Sequence, residues 1–163
     1  MHGFLNFQDH PLLEYCHHVW YPVGVEAAHE VERVQRRATK ILPGFRDLPY
    51  SERLTRLRLP SLYFRRLRGD MIEMYKFTHN HYPNFDLFHA TPPNRPALRQ
   101  HPFYVFKPRC NSSTYLNFFS IRALNTWNGL PSEVVCAVYL NKIKHVLDKF
   151  WVGHPLIYAS RQP

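Results

Sequence analysis

"EAAHEVERVQRRATKIL", residues Glu26 to Leu42, decides the class of fold. Within it Ala27, Val31, Val34, Ala38 and Ile41 recur at steps of four and three, the spacing that lines one face of an α-helix. Glu26, Glu30 and Glu32 stand toward its start and Arg36, Arg37 and Lys40 toward its end, the polarity that the helix dipole favours. Pro43 and Gly44 then stop it.

Downstream, a short helix is expected from Leu48 to Leu57, with Asp47 as its cap and Pro49 tolerated in its first turn, closed by Pro60. Ser61 reads as the cap of a third helix running to about His79, with Leu67, Met71, Met74, Tyr75 and Thr78 on one face. Arg65, Arg66 and Arg68 crowd the first half of that helix, where positive charge opposes the dipole. Either an anion sits against those arginines or they form a solvated face.

Residues 83–108 hold six prolines, with "TPPNRP" at the centre, so no regular helix crosses them and a proline-rich linker is expected. Beyond it, "FYVF" (Phe103 to Phe106) and "TYLN" (Thr114 to Asn117) are the two arms of an expected short β-hairpin. "NFFSIRALNTWNGLP" predicts a helix with Phe118, Ile121, Ala123, Leu124 and Trp127 inward, ended by Asn128-Gly129 and Pro131. A last helix fits Tyr139 to Trp151, with Leu140, Ile143, Val146, Leu147 and Phe150 on one face. The expected fold is therefore mainly α: a small helical bundle with a proline-rich linker and a short β-hairpin. It divides into a basic helical region at 9–82, the linker at 83–108, a C-terminal helical region at 109–151 and a tail at 152–163.

With 163 residues and 45% apolar content, the chain is long enough to bury a core. Its charge of +9 is clustered rather than dispersed. Between Val31 and Arg68 eleven Lys or Arg residues face three acids, Glu32, Asp47 and Glu52. A clustered positive field attracts polyanions. Three cysteines, Cys16, Cys110 and Cys136, are too few and too dispersed for a disulfide framework, and no charged-then-apolar leader opens the chain. An intracellular setting, nuclear or cytoplasmic, is the expectation, and no apolar run approaches the ~20 residues of a membrane span.

Six stretches, in order, carry a resemblance: "HPLLEYCHHVWYP", "VERVQRRATKILPGFRDLPYSERLTRLRLPSL", "RRLRGDMIEMYK", "FKPRC", "NFFSIRALNTWNGLPSEVV" and "LDKFW". Together, across about residues 9 to 151, they resemble the C-terminal, post-palm region of the reverse-transcriptase polyprotein of jockey-like non-LTR retrotransposons. The resemblance implies a thumb-side helical element of an RNA-directed DNA polymerase, bracing template and primer, with other retroelement protein segments as partners. Where the family has a small residue and a proline, this chain has His17-His18. After Cys110, where the family is more basic, it has Asn111-Ser112-Ser113-Thr114.

Polymerisation needs paired carboxylates to hold two metal ions about 3.5–4 Å apart. The five aspartates, at positions 9, 47, 70, 86 and 148, are nowhere adjacent. The family's adjacent aspartates and its endonuclease region are absent from these residues, so the chain is expected to be no enzyme and to need no cofactor. A zinc site from Cys16, His17, His18 and a remote Cys110 or Cys136 lacks the two short-spaced ligand pairs that structural zinc requires. "HNH" at His79 to His81 reads as a frayed helix end, and "NSS" at Asn111 as an unused glycosylation acceptor. No Gly-flanked nucleophile turn is present.

The expected function is sequence-independent binding of RNA or DNA, because Lys and Arg release condensed counterions from a phosphate backbone without reading its bases. The residues expected to make contact are Arg33, Arg36, Arg37, Lys40, Arg65, Arg66 and Arg68. Phe45, Tyr50, Tyr63 and Phe64 either stack on unpaired bases or belong to the core. The alternatives are a helical protein-interaction module, with apolar faces left exposed, and a translated relic without function. Ordinary solvated helix faces would also account for the basic residues.

Overall fold

The computed structural model describes residues 15–22, 24–83, 101–109 and 111–158. Among them there are seven helices and no strand: α1 Val25–Ile41, α2 Tyr50–Leu57, α3 Leu62–Thr78, α4 Ser113–Leu116, α5 Phe119–Asn128, α6 Ser132–Val135 and α7 Leu140–Phe150. The chain forms two compact units, one of Met1–Arg66 with Gly153–Pro163 and one of Leu67–Val152. The boundary falls inside α3. Of the expected proline-rich linker, residues 84–100 lie outside the described ones.

In the first unit α1 packs on α2, but the apolar stripe legible in the sequence is not the buried one. Ala28, Glu32, Gln35 and Thr39 are buried, while Val34 is 48% and Ile41 82% exposed. The two stripes differ by one residue, a rotation of about 100° on a helix of 3.6 residues per turn. The polar stripe wins because Glu32 and Gln35 meet directional partners from farther along the chain and Thr39 bonds back to its own helix. Glu32 Oε1 accepts from the Tyr50 hydroxyl at 2.5 Å and from the Leu62 N–H at 3.3 Å. Gln35 Nε2 donates to the Pro60 carbonyl at 3.1 Å, and Thr39 Oγ1 donates back to the Gln35 carbonyl at 3.0 Å. Buried polar groups with such partners cost little; left alone they cost several kcal/mol.

The expected second helix forms but begins two residues late, at Tyr50, with Pro49 in the cap position and no side-chain cap, so Asp47 does not play that part. It ends in a left-handed residue, Arg58 at φ 52°, with Leu59 N–H bonded to the Leu54 carbonyl at 2.9 Å. This is the six-to-one closure of a Schellman cap. Ser61 does cap α3, its Oγ accepting from the Phe64 N–H at 3.2 Å. The tail also joins this unit, since the Ile157 carbonyl accepts from the Ser61 N–H at 2.8 Å and the Leu156 carbonyl from Ser61 Oγ at 3.1 Å.

The second unit is built on Met71, Met74 and Tyr75 of α3, as the sequence pattern indicates, with Ile121, Leu124 and Trp127 of α5, Val134 and Val135 of α6, and Ile143 and Leu147 of α7. On α5, Phe119 is buried while Phe118, expected inward, is 57% exposed. The expected β-hairpin is absent: residues 103–106 form no ladder and Ser113–Leu116 is a helical turn. A side chain takes the place of the missing strand. The Asn128 amide donates to the Val105 carbonyl at 2.8 Å and accepts from the Val105 N–H at 3.0 Å, as a neighbouring strand would.

The "HNH" segment is not frayed either. Asn80 sits at φ 56° and His81 N–H bonds the Lys76 carbonyl at 2.9 Å, a second Schellman cap with asparagine in the left-handed position. His79 lies between two rings, with centroids 3.9 Å from Tyr75 and 3.9 Å from Phe103. Burial holds its imidazole below the ordinary value, so the neutral ring is the resident form.

Candidate nucleic-acid interface

Helical spacing brings four of the seven expected contact residues together. Arg33, Arg36, Arg37 and Lys40 recur at steps of three, one and three along α1, which gathers them on one side of the helix. Together with Arg53 of α2 they line a single cleft of about 460 Å³. Leu48, Pro49 and Tyr50, the uncapped start of α2, complete its wall, and no acidic side chain lines it. The free N–H groups of a helix's first turn add a positive end to that wall.

The five cations differ in their surroundings. Arg33 pairs with Glu30 at 2.8 Å on the exposed flank of α1. Arg36 Nη1 lies 3.1 Å from His29 Nε2, and its guanidinium carbon stands 5.0 Å from the centre of the Tyr50 ring. Arg37 and Lys40 are exposed and form no ion pair among the described residues. Arg53 is only 2% exposed, and its Nε and Nη1 have no hydrogen-bond acceptor among the described residues. Its guanidinium carbon is 5.5 Å from the Tyr50 ring centre, a cation–π contact that offsets part of the lost hydration.

Tyr50 is therefore committed. Its ring carries two guanidinium groups and its hydroxyl is bonded to Glu32, and burial first, then the Glu32 carboxylate, pushes that hydroxyl far above the ordinary phenol value. Among the other aromatics considered for base stacking, Phe64 is buried, with its ring 6.1 Å from His154, and Phe45 and Tyr63 are half-buried. The cleft offers charge rather than a free stacking surface.

The remaining expected residues lie elsewhere. Arg65 is half-buried and Arg66 is 1% exposed, so Arg66 presents no guanidinium at the surface. Arg68, in the second unit, holds Asp148 through two hydrogen bonds, one of them 2.8 Å from Nη2. Asp70 is likewise occupied, its two oxygens meeting Arg122 at 2.9 and 3.2 Å. Sequence reasoning missed Arg53, because nothing local in "SERLTRL" marks Arg53 rather than Arg56 as the buried one. Its position three residues after Tyr50, and so on the same face of α2, was the available signal.

Among the described residues no group of three or more His, Cys, Asp or Glu side chains converges as a metal site would, and no helix is long and apolar enough to cross a membrane. Cys16 and Cys136 are free thiols, and Cys110 lies outside the described residues. No protein-family model, curated protein or solved structure matches the chain.

Proposed function

We propose that the first unit binds nucleic acid without regard to sequence, through the basic cleft between α1 and α2. The observation that carries the reading is the convergence of five cations, with no lining carboxylate, on one concavity. Arginine suits the task because its planar guanidinium matches phosphate oxygens and stays charged at all working pH values. The reading includes no catalysis: the chain grips a strand and leaves its bonds intact. The resemblance of residues 9 to 151 to the post-palm part of a retrotransposon reverse transcriptase accords with it, since such an element braces template and primer.

The test is a binding titration of the full chain with a labelled single strand across a range of salt. Log affinity should fall linearly with log salt, with a slope of roughly 0.7 for each phosphate neutralised. Arg37→Gln with Lys40→Gln removes two exposed cations from the cleft and should flatten that slope by roughly one to one and a half. A slope unchanged by the pair puts the contact elsewhere.

A second reading, a helical interaction module, is favoured by Val34 and Ile41, apolar and exposed on α1. Docking through such a face would be nearly indifferent to salt, so the same titration separates the two.

A further inference from the structure

We infer that the α1–α2 cleft is a discrete pocket for one backbone phosphate, with the Arg53 guanidinium as its floor, and that it reads no base. The inference rests on the nucleic-acid reading above and specifies what part of the strand the cleft takes.

Arg53 is the reason to see a built pocket rather than a diffuse basic face. A guanidinium taken out of water loses its hydration, and proteins compensate by pairing it with a carboxylate or by filling its donors. Neither compensation is complete here. Arg53 is 2% exposed, two of its nitrogens are buried without acceptors, and no ion pair reaches it among the described residues. The nearby carboxylate of Glu32 is held by the Tyr50 hydroxyl and the Leu62 N–H. Yet Arg53 lines the cleft beside Arg36, Arg37 and Lys40. An anion seated there supplies the missing negative charge, in surroundings where low dielectric makes the attraction strong.

The chemistry of the lining selects the anion. Four of the five cations are arginines, whose fork geometry favours the oxygens of phosphate. A cleft of about 460 Å³ admits a phosphate and the sugar atoms attached to it. Tyr50, the aromatic residue in the wall, already has two guanidinium groups against its ring and its hydroxyl bonded to Glu32, so a base stacking there would have to compete with those contacts. The strand enters by its backbone, and its bases point away.

The deciding experiment compares the full chain's affinity for a 12-nucleotide single strand with its affinity for an abasic strand of the same length. Arg53→Gln and Arg53→Lys are measured beside the wild type, and poly-glutamate serves as a non-phosphate polyanion. The two strands should bind within about twofold of each other. Arg53→Gln should weaken both by tenfold or more, and Arg53→Lys, which keeps the charge and loses the planar fork, should weaken them less. Should Arg53→Gln fail to fold, hydrogen exchange of the wild type with inorganic pyrophosphate reads the same site. Amides of 50–57 should gain protection.

Three results overturn the pocket while the broader reading stands: an abasic strand bound tenfold more weakly than the normal one, affinities untouched by both Arg53 variants, or no added protection at 50–57. Poly-glutamate bound as tightly as the strands, with the same dependence on Arg53, overturns the choice of phosphate and indicates an acidic peptide. If neither strand binds at any salt, the nucleic-acid reading itself falls, and the pocket with it.

Discussion

Arg58 closes α2 at φ 52° although it carries a side chain, and an L-residue in that region costs about 1–2 kcal/mol relative to the right-handed one. Glycine pays no such steric cost, so Arg58→Gly should raise the urea midpoint by an amount worth up to ~1 kcal/mol, after its larger unfolded-state entropy is subtracted. His101 makes the opposite kind of point, about protons. It is buried, its Nε2 lies 3.1 Å from the Trp127 carbonyl, and its Nδ1 is buried with no partner among the described residues. Burial lowers its pKa from the ordinary 6.5, and His79 is shifted the same way. The unfolded chain then takes up protons that the folded chain refuses. The stability that the neutral rings contribute is present above about pH 6.5 and is lost as pH falls through the folded values. Chemical denaturation at pH 7 and at pH 5 should show a lower midpoint in acid, and His101→Leu should remove part of that difference.

Helix α1 shows how an element's periodicity and its orientation are separate facts. Stepping by fours and threes from Ala27 gives an apolar stripe, and stepping from Ala28 gives a polar one; both are helical, and only the second is covered. The exposed stripe should therefore tolerate change. Ile41→Ser is expected to alter unfolding free energy by less than ~0.5 kcal/mol. Gln35→Ala strips the Pro60 carbonyl of its donor and should cost about 1–3 kcal/mol; equal effects of the two substitutions would contradict the burial pattern. The same logic explains residues 103–106. An aromatic-rich run looks like a strand because extended backbone suits such side chains, yet here it starts in a turn, with Tyr104 N–H bonded to the His101 carbonyl at 3.1 Å, and takes the Asn128 amide as its partner, which no strand-pairing pattern announces.

At the scale of the whole molecule, both units carry charged groups inside, and each uses them differently. In the second unit Asp70 and Arg122 are 5% and 11% exposed and bonded twice, with Arg122 Nη1 also donating to the Asn117 carbonyl at 3.1 Å. Removing one partner leaves a buried charge. Arg122→Met should cost about 3–5 kcal/mol, and adding Asp70→Leu should recover part of that loss, as thermal unfolding of both variants would show. In the first unit Arg53, buried like Arg66, meets no such carboxylate among the described residues. The contrast between Arg122 and Arg53 is what the proposed anion at the α1–α2 cleft rests on.

The linear chain already determined that this protein is helical, because helix periods and the prolines that interrupt them are local information carried by neighbours three or four residues apart. It also determined that nearly all net positive charge lies between Val31 and Arg68. Only the tertiary structure decided which stripe of α1 turns inward, that Arg66 and Arg53 are buried while Arg37 and Lys40 are not, and that Asn128 stands in for a strand. The physical reason is that a polar side chain is welcome inside only if a partner arrives from elsewhere. For Glu32 and Gln35 those partners come from 18 to 30 residues away, beyond the reach of any local pattern.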